Sequence, residues 1–246
     1  LDFLDKGKRV SNLDIFVPER QLENSEKGLP AYFNRLAREI ESRFPNGKIE
    51  IVGFSLGTYV ALNVAASLSG RIETLHLISV AAPLHWGDYL DTMAGKAVFL
   101  LAEKRPRVFG ALTSFQSLIA RYFPGFLAKA LFATAQGVDA ELILDSNFKT
   151  MTVKILKDGL GRNVTAYKAE ILGYVQDWQP NKDWQGETIV LWHGDQDNWS
   201  PIQMARDMKA FIGERARLQE FSGLSHYSTL QLALGKILSE PIKTLE

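Results

Sequence analysis

The chain has 246 residues, 46% hydrophobic and 23% charged, enough to bury one large core or a core with an insertion. Its 28 Lys and Arg balance 28 Asp and Glu. A nucleic-acid binder needs surplus positive charge to displace counterions from phosphate, so none is expected. With no cysteine, disulfides, thiolate zinc sites and a cysteine nucleophile are excluded. No stretch resembles a secretory leader, and no apolar run reaches membrane-spanning length. The expectation is a cytoplasmic protein without an integral membrane segment.

In chain order, Leu13-Asp-Ile-Phe-Val17, closed by Pro18, reads as a short strand. Leu29, Tyr32, Phe33, Leu36, Ile40 and Phe44 then recur at helical spacing until Pro45-Asn46-Gly47 stops the run. Ile49–Val52 predicts a strand, Thr58–Leu68 a helix and Leu75–Val80 a strand. From His85 to Gln185 the patterns are helical without a convincing buried strand. Strand signals resume at Thr188–Trp192, followed by a helix near Met204–Ile212, a strand near Arg217–Phe221 and a helix near Thr229–Leu238. Such alternation predicts an α/β protein, a mostly parallel sheet flanked by helices. The expected organisation is a core built from residues 1–84 and 186–246, interrupted by a helical cap at 85–185. An insertion of roughly 100 residues is too long for an ordinary loop.

Three features carry chemistry. Gly53-Phe54-Ser55-Leu56-Gly57 follows a strand and opens a helix. A serine on such a sharp turn stands clear of the sheet, and glycines two residues to either side relieve the crowding. The Leu56 N–H, at the helix start, is a candidate oxyanion donor. The second feature is His193-Gly-Asp-Gln-Asp-Asn-Trp-Ser-Pro201, directly after a strand. Asp195 and Asp197 both lie at the strand end where a carboxylate could orient a histidine. The third is Gly223-Leu-Ser-His-Tyr227. Of the four histidines, His226 alone follows the acids on a loop between strand and helix. Ser55, an aspartate and His226, each after its own strand, compose a nucleophile, an orienting acid and a base.

These residues make the chain resemble the α/β-hydrolase superfamily. Gly-Phe-Ser-Leu-Gly is similar to its nucleophile elbow, and Ser-His-Tyr to its histidine loop. In the acid loop the resemblance selects Asp197, four residues before Pro201, over Asp195. It implies a helical cap between the family's sixth and seventh strands. In style the chain is similar to small bacterial hydrolases of the pimeloyl-carrier-protein methyl esterase type. Phe54, Trp199 and Tyr227, beside these motifs, are the expected substrate contacts. The resemblance implies hydrolysis of a carboxylic ester or thioester through an acyl-serine, with no metal or organic cofactor. Acyl transfer, cofactor-free haloperoxidation or C–C hydrolysis by the same triad are alternatives, as is a binding protein that keeps the triad without turnover.

The chain also departs from the family pattern. The family places a strand and a His-Gly oxyanion loop ahead of the first helix seen here. Residues 1–12 contain neither, and Leu1–Arg9 reads as the tail of the helix after that loop. Pro18-Glu-Arg-Gln21 stands where a Gly-rich stretch is usual. Because residue 1 is leucine, a preceding segment is expected to be missing, or part of the oxyanion site is; one lost donor costs roughly 3 kcal/mol. Between Gly95 and Ala135 six basic residues (Lys96, Lys104, Arg105, Arg107, Arg121, Lys129) accompany one acid, Glu103, and seven aromatics. One reading is a cap roofing an acyl pocket, with an outer face drawing an anionic acyl carrier or lipid head group. The other is an amphipathic helical pair with a basic solvent face. Trp178, Trp184, Trp192 and Trp199 are expected in the core or the pocket wall.

Overall fold

The computed structural model describes residues 14–23, 26–68, 70–162, 164–181 and 188–239. The expected helix tail at Leu1–Arg9 and Trp184 lie outside them. Helix α1 (Leu29–Arg43) starts behind Gly28, whose φ of 87° turns the chain into it, and buries Tyr32, Phe33, Leu36 and Ala37. Strand β1 (Ile49–Phe54) leads into α2 (Leu56–Ser67), whose run of Val, Ala and Leu is buried almost throughout. Strand β2 (Ile72–Ile78) begins three residues earlier than the apolar pattern indicates. Glu73 and Thr74 belong to its half-exposed start.

Between β2 and the next strand the described chain is helical. It comprises α3 (Lys96–Lys104), α4 (Pro106–Tyr122), α5 (Pro124–Leu131), α6 (Asp139–Leu142), α7 (Ser146–Arg162) and α8 (Val164–Tyr174). The sheet resumes with β3 (Thr188–Gly194), α9 (Ile202–Ile212), β4 (Ala216–Phe221) and α10 (His226–Ile237). The four strands lie in the order β1-β2-β3-β4, every neighbouring pair parallel. No helix among the described residues is long and apolar enough to cross a membrane.

Strand alternation sorts side chains to two faces. Leu75, Leu77, Ile189 and Leu191 join the main core with α1, α2 and α9. Ile78 and Trp192 face the other way, against Ala233 of α10. This arrangement points the C-terminal ends of β1, β2 and β3 at one rim, beneath the helical insertion.

The expected strand at Leu13–Val17 is not one: residues 14–17 are irregular. A strand exists only through a ladder partner, and β1 pairs with β2 alone among the described residues. Side chains hold the segment instead. Arg43 donates to Asp14 at 2.6 Å, and Phe16 meets Phe44 edge-on at 6.3 Å. Arg20 donates to the buried Glu170 of α8, which also accepts the Tyr32 hydroxyl at 2.7 Å.

Two buried histidines set an acid limit on stability. His76 accepts the Trp192 indole N–H at 3.2 Å, and burial pushes its pKa down to about 4. His193, fully buried, accepts the Val80 N–H at 3.1 Å and donates to the Ser200 carbonyl at 2.7 Å. It is neutral, its pKa lowered chiefly by burial. Below pH 6.5 the unfolded chain takes up these protons and the folded one does not, so stability falls with falling pH. For His76 the loss runs from about 6.5 down to about 4 and reaches at most about 3 kcal/mol. Urea unfolding at pH 7 and pH 5 is expected to show this slope. His76→Gln, which keeps an acceptor but cannot titrate in this range, is expected to shrink it.

Candidate active site

The nucleophile candidate sits in a backbone conformation that side-chain-bearing residues seldom adopt. Ser55 has φ 55° and ψ −128°, a strain of about 1–3 kcal/mol that persists only where the surroundings enforce it. Here the Ser55 N–H donates to the Ile78 carbonyl at 3.0 Å, and the Ser55 carbonyl accepts the Thr58 N–H at 2.8 Å and its hydroxyl at 2.7 Å. Thr58 Oγ1 also accepts the Ala81 N–H at 3.0 Å, tying the turn to the end of β2. Glycine is required at 53, where a Cβ would stand 2.7 Å from the Gly57 carbonyl and 2.8 Å from the Ala61 Cβ. Crowding does not explain Gly57 in the same way: a Cβ there would find its nearest neighbour, Arg20 Nη1, at 3.9 Å. Leu56 is the first residue of α2, so its N–H has no partner within the helix.

The acid loop separates the two aspartates. Asp195 is exposed and accepts the Gly223 N–H at 2.8 Å, bridging the ends of β3 and β4. Asp197 is buried. Its Oδ1 accepts the N–H groups of Trp199 and Ser200, both at 2.9 Å, and its Oδ2 lies 2.8 Å from His226 Nδ1. Burial opposes its ionisation. The facing His226, His193 and the Ser200 N–H outweigh that and hold its pKa below the usual carboxylate value. The structure therefore brings His226 to Asp197, and not to Asp195. Gly194 permits the approach, because a Cβ there would strike the Leu224 carbonyl at 2.2 Å.

His226 is the first residue of α10 rather than a loop residue, three positions ahead of the expected helix start. Its carbonyl accepts the Ser79 hydroxyl at 3.1 Å. The Phe54 ring lies 4.8 Å from the imidazole and the Trp199 ring 6.2 Å. With the Nδ1 proton directed to Asp197, Nε2 carries the lone pair, the state a general base requires. Among the described residues no hydrogen bond joins the Ser55 hydroxyl to this imidazole.

The helical insertion reaches this histidine through Asp139, a residue sequence reasoning missed. Buried in α6, it accepts the N–H groups of Tyr227 and Ser228 at 2.7 Å each. It thus caps the N-terminus of α10 from 88 residues away in sequence. Val138 N–H donates to Gly223 O at 3.3 Å, and Asn198 donates to Thr134 O at 2.7 Å. Gly137, at φ 54°, is pressed to where a Cβ would be 2.7 Å from the Gly223 carbonyl. Asp139→Ala removes the side-chain acceptor of the Tyr227 and Ser228 N–H groups, at a cost of about 1–2 kcal/mol. We expect it to lower kcat for a soluble ester about tenfold through a misplaced imidazole, with KM changed far less. Asp139→Asn, which retains one acceptor, should recover most of it. No sequence signal distinguishes this aspartate, since its partners are remote.

A cavity of about 100 Å³ opens beside Ser55, lined by Leu56, Ala81 and Ser200 of the sheet rim, by Met93, Val98 and Phe99, and by Tyr167, Ile171 and Tyr174 of α8. Of the expected substrate contacts, Trp199 lines it. Phe54 and Tyr227 do not. Phe54 points to the sheet face covered by α10, and Tyr227 packs against Phe54 at 5.5 Å and Phe132 at 5.0 Å. Both buttress His226 instead. The α8 residues went unnoticed in the sequence because helical spacing alone does not say which face meets the rim. Burial and the nearby Glu170 push Tyr167 up to about 12, so it stays protonated and can donate a hydrogen bond but not act as a base. Residues 14–23 do not line this cavity. Among the described residues no cluster of His, Asp and Glu has the makings of a metal site.

The fold and this rim can be set beside known proteins. The model of the alpha/beta hydrolase fold family matches residues 23–231. Comparison with curated proteins finds no match. Among solved structures the chain is similar to a thermophilic esterase from Thermogutta terrifontis, at 17% identity and a TM-score of 0.55 over 89% of this chain and 74% of that one. It is similar to an alpha/beta hydrolase fold protein from Nakamurella multipartita, at 14% and 0.54 over 85% and 75%. It is similar also to a bromoperoxidase from Bacillus anthracis, at 12% and 0.52 over 90% and 80%. At such identities the structural likeness speaks for the fold alone. The family model spans most of the chain and includes both the serine turn and the histidine loop, and on that ground the chain belongs to the alpha/beta hydrolase fold family.

Proposed function

We propose that the protein hydrolyses carboxylic esters or thioesters of short acyl groups through an acyl-serine intermediate. The observation that carries this reading is the 2.8 Å contact between His226 Nδ1 and a buried, ionised Asp197, at the rim where Ser55 is held in a strained turn. Ser55 Oγ attacks the acyl carbon while His226 Nε2 takes its proton. The Leu56 N–H donates to the oxyanion that forms. His226 then returns the proton to the leaving alcohol or thiol as the bond to the acyl carbon breaks. Water, deprotonated by the same imidazole, releases the acid and restores Ser55. Asp197 holds the imidazole in the productive tautomer throughout. Residues 85–185 act as the cap of a core made of 1–84 and 186–246, and α8 supplies the cap's share of the acyl cavity.

The cavity size supports a short acyl chain. The test is release of p-nitrophenol from acetyl, butyryl and decanoyl esters. Turnover is expected to favour the shorter two. Folded protein that cleaves none of the series, nor the matching thioesters, would overturn the reading.

A further inference from the structure

Helix α4 is built inside out. Its buried side carries Phe109, Gly110, Thr113 and Ala120, mostly small or polar. Its exposed side carries Val108, Leu112, Phe115, Leu118 and Tyr122, which at 3.6 residues per turn fall within an arc of about 120°. The stripe continues into the α4–α5 corner through Phe123 and Phe126. Phe115, Tyr122, Phe123 and Phe126 are each 59% to 68% exposed. Of the seven aromatics between Gly95 and Ala135, Phe99 lines the cavity beside Ser55 and Phe109 and Phe132 are buried, while the other four face outward. A soluble surface rarely gathers so many large apolar groups without something to cover them.

The surroundings of the stripe say what covers it. Exposed Lys104, Arg105, Arg107, Arg121 and Lys129 flank it, against one acid, Glu103. Among the described residues none of these five cations forms an ion pair. A second copy of this chain, docked face to face, would bring like-charged rims together. An anionic bilayer meets both demands at once, taking the aromatic rings at its headgroup boundary and the cations at its surface. We infer that the α4–α5 face docks on anionic lipid. This inference stands apart from the hydrolytic reading, because none of these side chains lines the Ser55 cavity.

The experiment is co-sedimentation of the whole protein with phosphatidylcholine vesicles, with and without phosphatidylglycerol. Binding is expected with phosphatidylglycerol and to weaken at least about tenfold without it, each basic residue at the surface being worth roughly fivefold. Phe123→Ser with Phe126→Ser, both exposed and so tolerated by the fold, should weaken binding about tenfold or more while hydrolysis of a soluble short ester is unchanged. Ser55→Ala should bind vesicles as the parent does, so loss of docking and loss of hydrolysis are read separately. The inference is overturned by a parent protein that leaves the anionic vesicles unbound, or by a double variant that binds them as tightly as the parent. A parent dimer that the double variant splits would overturn it by assigning the face to a second copy. Retention by immobilised acyl carrier protein without vesicle binding would do so by assigning the face to the carrier.

Discussion

Ser55→Ala is expected to lower turnover of a short p-nitrophenyl ester by about 10⁴-fold or more, with the protein still folded. In the proposed mechanism the hydroxyl forms the acyl bond, and nothing else at the rim replaces it. The backbone of the turn does not depend on it. The contacts that hold residue 55 at φ 55° are made by its own N–H and carbonyl, to Ile78 and Thr58, and alanine keeps both. Melting temperature and far-ultraviolet circular dichroism should therefore match the parent. Near-normal turnover by this variant would remove Ser55 from the mechanism.

Asp197→Asn is expected to cost about 10⁴-fold in kcat at neutral pH, while Asp195→Asn stays within about threefold. The difference follows from which oxygen does what. Asp197 Oδ1 already accepts two backbone N–H groups, from Trp199 and Ser200. In the variant the amide oxygen takes that place, and the amide NH₂ is turned toward His226 Nδ1. The imidazole must then accept at Nδ1 and carry its proton on Nε2, where it cannot serve as a base. Asp195→Asn, by contrast, keeps an oxygen for the Gly223 N–H, the bond by which Asp195 bridges the strand ends. Steady-state kinetics on the two variants side by side decide between the carboxylates.

The sheet was legible because its strands are short β-branched or leucine-rich runs, and the serine turn because two glycines bracket it directly after such a run. Periodicity also exposed α1, which shows a clear apolar face, and the stretch between β2 and β3, which holds no strand among the described residues. What escaped the sequence depends on partners distant along the chain. Leu13–Val17 has strand-like residues, yet a strand requires a neighbour, and no local pattern states whether one is there. The start of α10 at His226 is held by Asp139, 88 residues before the Tyr227 whose N–H it accepts, together with the local Ser225–Ser228 capping box. Likewise, the aromatics of α4 repeat at helical spacing whichever side they face. Only the packing of α4 against α7 and α8 reveals that the small residues are inside. Choosing Asp197 over Asp195 came from family resemblance; the hydrogen bonds supply a separate physical reason.

Whether Ser55 is a nucleophile activated by the His226–Asp197 pair is tested most directly by treating the protein with a fluorophosphonate and mapping the adduct by peptide mass. A single phosphonylated serine is expected, at position 55, its labelling lost in Asp197→Asn. Well-folded protein that stays unlabelled, or that carries the adduct on another serine, would contradict that assignment.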